Sequence, residues 1–81
     1  MTVVFRETAL RNLARIRGHN KEVFARTRRA IATLPGQPRP EGAVPWGTTG
    51  IYRLRADEIR VLYEIDETAA TIWIINIGLL T

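Results

Sequence analysis

Three strand-like runs, about Ile51 to Arg55, Ile59 to Ile65 and Thr71 to Gly78, constrain this chain more than any other feature. The connections between them, Ala56-Asp57-Glu58 and Asp66-Glu67-Thr68, are too short to hold anything but a reversal of direction. The last third of the chain is therefore an antiparallel sheet. Side chains alternate faces along a strand, so Arg53 and Arg55 point one way while Tyr52 and Leu54 point the other. A turn centred on Asp57-Glu58 sets Arg55 directly across from Arg60. Like charges so placed repel, and an anionic ligand is one thing that relieves them.

The third run, Thr71-Ile72-Trp73-Ile74-Ile75-Asn76-Ile77, is apolar on both faces and belongs inside a sheet. Its outer neighbour is then the β-branched and aromatic stretch Thr2 to Phe5, a first strand. Two helices follow that strand. From Glu7 to Gly18, Leu10, Leu13, Ala14 and Ile16 recur at helical spacing, and Gly18 is read as the stop. Asn20 is the N-cap of the next helix, with Glu22 in the first turn and Val23, Thr27, Ala30, Ile31 and Leu34 on one stripe. Pro35-Gly36 closes it. The short link makes the pair an antiparallel helical hairpin. Residues 37–49 hold Pro38, Pro40 and Pro45 and show no helical period, leaving room for a short edge strand around Val44 to Trp46. The order β-α-α-β-β-β over residues 1–81 describes one α+β domain of two layers, an antiparallel sheet, first strand beside the last, packed on a helical hairpin.

A chain of 81 residues with 46% hydrophobic and 25% charged residues folds as a small soluble domain of modest stability. Its net charge of +4 and pI of about 10.7 come almost wholly from arginine, Lys21 being the only lysine. Arginine presents a planar fork that matches phosphate and carboxylate, which suits nucleic acid or an acidic protein. With no cysteine, disulfides, thiolate metal sites and cysteine nucleophiles are excluded. One histidine and no close carboxylate cluster leave no metal constellation, and no Gly-rich phosphate loop is present, so no cofactor is expected. The apolar runs are short, and Met1 to Arg6 lacks a signal-peptide pattern; a cytoplasmic protein without membrane contact is the expectation.

The opening Phe5...Ala9-Leu10-Arg11-Asn12-Leu13, the Pro-rich middle, Gly50-Ile51-Tyr52-Arg53-Leu54-Arg55 and above all Ile59-Arg60-Val61-Leu62-Tyr63-Glu64-Ile65-Asp66 resemble the RelE/ParE superfamily of toxins from type II toxin-antitoxin pairs. The resemblance covers essentially the whole chain and implies a RelE-like fold. It implies two activities: RelE-type members are ribosome-dependent endoribonucleases that cut messenger RNA in the A site, and ParE-type members poison DNA gyrase. In both, a cognate antitoxin wraps and blocks the toxin. Carried over by position, Arg53 and Arg55 match the basic side chains that hold RNA, and Arg60 matches the arginine that stabilises the phosphate in the transition state. The RelE-type strand continues past its glycine into a further arginine and then a tyrosine or histidine. Here Gly78 is followed by Leu79-Leu80-Thr81, so the resemblance implies a weakened nuclease, or a degenerate toxin that only binds its antitoxin.

RNA cleavage by a 2′-hydroxyl needs a base, an acid and charge stabilisation at phosphorus. Arg53, Arg55 and Arg60 supply the last but keep their protons. Glu64 shares a strand face with Arg60 and is either a general base or the partner in a salt bridge across the sheet. Trp46, just ahead of the arginine hairpin, either stacks on a base or closes an edge of the core. Tyr52, Tyr63 and Trp73 are read as core residues, and His19 as a loop or capping residue remote from the arginines.

Overall fold

The computed structural model describes residues 1–79. Strand β1 (Thr2–Phe5) leads into helices α1 (Glu7–His19) and α2 (Lys21–Ala32), followed by β2 (Ala43–Pro45), β3 (Ile51–Ala56), β4 (Ile59–Asp66) and β5 (Thr71–Leu79). The strands form one five-stranded sheet in the order β1-β5-β4-β3-β2. The first strand lies beside the last, and the short edge strand exists one residue earlier than its sequence suggests. Hairpins make β2 through β5 antiparallel, whereas β1 runs parallel to β5, with Thr2 across from Thr71 and Phe5 from Ile74. The sheet is therefore mixed. Hairpin turns dictate alternation only between strands they join, and a helical pair separates β1 from the rest.

One residue punctuates both helices. The Asn20 backbone N–H donates to the Ile16 carbonyl and closes α1, while its side-chain oxygen accepts from the N–H groups of Glu22 and Val23 and opens α2. Gly18 thus lies inside α1 and is not its stop: Asn20 leaves the helical conformation, with φ −156°, and offers the next helix an N-cap. α2 ends at Ala32, ahead of Pro35, with Thr33 as its C-cap.

The apolar stripes of both helices meet one face of the sheet. Ala9 and Ile16 of α1 and Val23, Ile31 and Leu34 of α2 and its exit bury against Leu54, Ile59, Val61, Tyr63, Ile65, Ile72, Ile74 and Ile77. Thr27, also fully buried, donates its hydroxyl to the Val23 carbonyl, which satisfies it inside its own helix. Between Leu62 and Tyr63 the pairing with β5 slips, leaving Ile75 as an extra residue. This bulge shifts the phase of β5 so that Ile77 enters the core and Asn76 faces out.

Tyr63 is buried in the core and donates its hydroxyl to the Pro38 carbonyl at 2.7 Å, with its ring stacked on that of Tyr52. Burial, then the neighbouring Tyr52, pushes its hydroxyl up to about 12. Arg39 donates to the Tyr52 hydroxyl and to Glu67, each at 2.9 Å, so the irregular segment between α2 and β2 is tied to the sheet at Pro38 and Arg39. The hydrogen bond to Glu67, then that to Tyr52, raises the Arg39 guanidinium above its usual range and keeps it charged.

Trp73 does not enter the core. Its neighbours Ile72 and Ile74 take the helix side, and Trp73 lies on the opposite face beneath the Arg6 guanidinium, 4.2 Å from the ring centroid. A strand apolar on both faces has no period to say which face meets the helices; here Arg6 covers the other one.

Candidate functional site

The sheet face turned away from the helices carries the arginines. Asp57, at φ 55°, and Glu58 form the turn between β3 and β4, and the resulting register sets Arg55 across from Arg60 and Arg53 across from Leu62. Aspartate is among the few side chains that tolerate such a backbone. At the other end of β3, Gly50 adopts φ 90° and its carbonyl accepts from the Ile65 N–H, a conformation that lets β3 start beside β4.

Trp46 follows β2 directly, and its backbone N–H bonds to the Ile51 carbonyl. That bond lays the indole over β3, where the Arg53 guanidinium stacks 4.2 Å from the ring centroid. At 47% exposure, Trp46 is a surface platform and closes no edge of the core. Trp46, Arg53, Arg60, Leu62, Asn76 and Gly78 line an open cleft of about 250 Å³. Arg55 stands beside it, exposed, across the strand pair from Arg60.

Charge in the neighbourhood is sorted rather than cancelled. Arg11 pairs with Glu7 and Arg39 with Glu67, and Arg26 of α2 takes both turn carboxylates, Asp57 at 3.5 Å and Glu58 in close contact. Among the described residues Arg53, Arg55 and Arg60 have no carboxylate within ion-pair distance, although two acids sit between Arg55 and Arg60 in the chain. Arg53 Nε is buried with no hydrogen-bond partner among the described residues. The Arg53 side chain as a whole lines the open cleft, where its guanidinium suits an anion that presents several oxygens.

Glu64 stands apart from this group. It shares the face of Arg60, as period two requires, but lies four residues further along β4, across from Ile51 and Trp73. It lines a different cleft, with Arg39, Tyr52, Asp66 and Glu67, and makes no ion pair with Arg60. At ~3.3 Å per residue the two α-carbons are about 13 Å apart, too far for the salt bridge the spacing suggested.

His19 is the last residue of α1, not a loop residue, and lines a cleft with Asn12, Arg15, Ile16, Asn76, Ile77, Gly78 and Leu79. Asn76 and Gly78 belong to both this cleft and that of the arginines, so the two clefts adjoin at the end of β5. The one sequence signal for this was Asn76 itself: strict alternation from Ile72 and Ile74 would bury it, and a polar residue at that point of an apolar run marks a bulge. The expected loss of a C-terminal arginine and aromatic concerns Leu80 and Thr81, which lie outside the described residues. No group of carboxylates and histidines among the described residues could hold a metal ion, and none of their helices is long and apolar enough to cross a membrane.

A helical hairpin on this five-stranded sheet is the architecture of the RelE-like toxins. The chain superposes on the isolated Escherichia coli RelE toxin with a TM-score of 0.84, at 17% identity over 99% of this chain and 84% of that one. The RelBE2 toxin-antitoxin complex of Mycobacterium tuberculosis gives 0.81 and 25% over 96% and 95%, and the YoeB/ParE toxin of Agrobacterium tumefaciens 0.83 and 14% over 98% of each. Residues 3–79 match the family model for the ParE toxin of type II toxin-antitoxin system, parDE. The chain belongs to that family, a toxin of the RelE/ParE superfamily. No curated protein sequence matches it.

Proposed function

We propose that this toxin is directed at RNA: its arginine face grips the phosphates of messenger RNA on the ribosome and promotes slow strand cleavage there. The observation that carries this reading is the cluster of Arg53, Arg55 and Arg60 without carboxylate partners, beside the exposed Trp46, while Arg26 draws the two nearest acids away. Arg60 and Arg53 line the cleft and hold the reacting phosphate, Arg55 steers the neighbouring one, and Trp46 offers a base its ring. The described residues on that wall include no carboxylate and no imidazole, so the cleft offers charge stabilisation without a group suited to move a proton. Glu64, on another cleft, supplies no base to it. Slow cleavage follows.

A second reading, a gyrase inhibitor of ParE type that acts by binding alone, draws support from the matched family's description and from the same lack of a proton-transfer group. One experiment separates the two. The purified chain is added to ribosomes translating a defined message, with messenger ends mapped, and in parallel to gyrase in a supercoiling reaction. The first reading expects weak cuts that vanish in Arg60→Ala and unaffected supercoiling. Intact messages together with blocked supercoiling would sink it.

In either case the expected partner is a cognate antitoxin in the cytoplasm. The matched M. tuberculosis and Pyrococcus horikoshii structures are complexes of this kind. The short edge strand β2, with Val44 exposed, and the basic face beside it suit an acidic segment that adds a strand and covers the arginines.

A further inference from the structure

We propose that the cleft at the C-terminal end of α1 is a second nucleotide subsite, into which the single-stranded RNA held by Arg53 and Arg60 continues. This extension rests on the RNA reading of the first cleft. β1 pairs with β5 only as far as Ile74, so from Ile75 to Leu79 the outer edge of β5 carries no strand. α1 passes that edge. Asn12 reaches round it and donates to the Asn76 side chain at 2.6 Å, joining the helix layer to the outer face.

Asn12, Arg15 or Ile16, and His19 recur at helical spacing on one side of α1, and with Ile77, Gly78 and Leu79 they enclose about 370 Å³. Asn76 and Gly78 wall both clefts, so the two adjoin across the end of β5, where a strand held by Arg53 and Arg60 would pass on toward His19. Among the described residues no carboxylate lines either half, whereas Glu22 lines a cleft on α2 and Glu64, Asp66 and Glu67 line that beside Arg39. A groove with Arg53 and Arg60 at one end, Arg15 and His19 at the other and no acid between them suits a polyanion longer than one nucleotide. Gly78 sits where the halves join. A Cβ built there would meet nothing within 4 Å and its φ is not left-handed, so the fold does not require glycine; its effect is to leave the passage bare.

The test compares binding of a uridine dinucleotide and a uridine hexanucleotide, each labelled with a fluorophore, by anisotropy at fixed low salt. The hexanucleotide should bind the unaltered protein about tenfold tighter than the dinucleotide, the size of one charge-assisted contact. Arg15→Gln with His19→Gln should remove that increment and leave the dinucleotide unchanged. Both side chains are exposed, so the core is untouched, and an unchanged melting temperature checks this. Gly78→Val, which narrows the passage without altering charge, should also cost the increment. An increment that survives in the double variant overturns the subsite. If a glutamate-rich peptide binds through Arg15 and His19 while the hexanucleotide gains nothing, the cleft belongs to an acidic protein segment and the RNA assignment falls. A dinucleotide that does not bind, or binds Arg60→Ala equally well, refutes the reading of the first cleft instead.

Discussion

Neutralising Arg55 should make the free protein more stable while weakening the proposed binding of RNA. The perturbation is Arg55→Gln, which keeps most of the side-chain length and removes the charge facing Arg60 across the hairpin. Long side chains splay, and with guanidinium groups ~8 Å apart in water the repulsion is about 0.5 kcal/mol, within the range measured for cross-strand pairs. For a domain of this size that gain raises the melting temperature by ~2–4 °C. Arg60→Gln should do the same, and the double variant should gain little more than either single one, a coupling of about 0.5 kcal/mol that isolates the pair from the general fall in net charge. Thermal melts at low and at molar salt provide the assay, because a Debye length of ~3 Å at 1 M removes the effect. RNA binding should move the opposite way, with the salt dependence of affinity shallower by about 0.7 in log–log slope for each lost phosphate contact. A gain that persists in molar salt, or no gain at low salt, would refute the reasoning.

Tyr63→Phe should cost about 1–2 kcal/mol in urea unfolding, because the Pro38 carbonyl loses its buried donor. The Tyr63 hydroxyl is raised from 10.0 to about 12, so its contribution is complete below the unfolded value and is lost as pH climbs from one value to the other. Stability should fall there by up to ~1.4 kcal/mol per pH unit, and Tyr63→Phe should show that much less alkaline sensitivity. Asn20→Ala should destabilise by about 1 kcal/mol by uncapping α2, and Asn20→Asp should restore most of it; an alanine variant that melts like the unaltered protein would show the cap to be idle.

What could be read before any coordinates was whatever short-range geometry decides. A two-residue turn leaves one register, so Arg55 against Arg60 followed directly. The Asn20 cap was equally local. Trp73 was misplaced because both faces of β5 are apolar, and the choice between them belongs to the helices and to Arg6, far off in sequence. Glu64 and Arg60 were correctly given one face, yet period two says nothing of the distance along it. The cleft of His19 adjoins that of the arginines at Asn76, whose outward aim depends on the bulge at Ile75. The parallel course of β1 came from the crossover through two helices, which hairpin logic does not reach.

That parallel pair also times the molecule's assembly. Thr2 meets Thr71, so β1 waits for a strand far behind it in the chain before it can join the sheet. Ile72, Ile74 and Ile77, all fully or nearly fully buried, arrive in that same final strand. Until then α1 and α2 have only part of their sheet to rest on, and contacts of such long sequence separation form slowly. The arginine cleft, walled in part by Asn76 and Gly78, therefore takes shape only once β5 has joined the sheet.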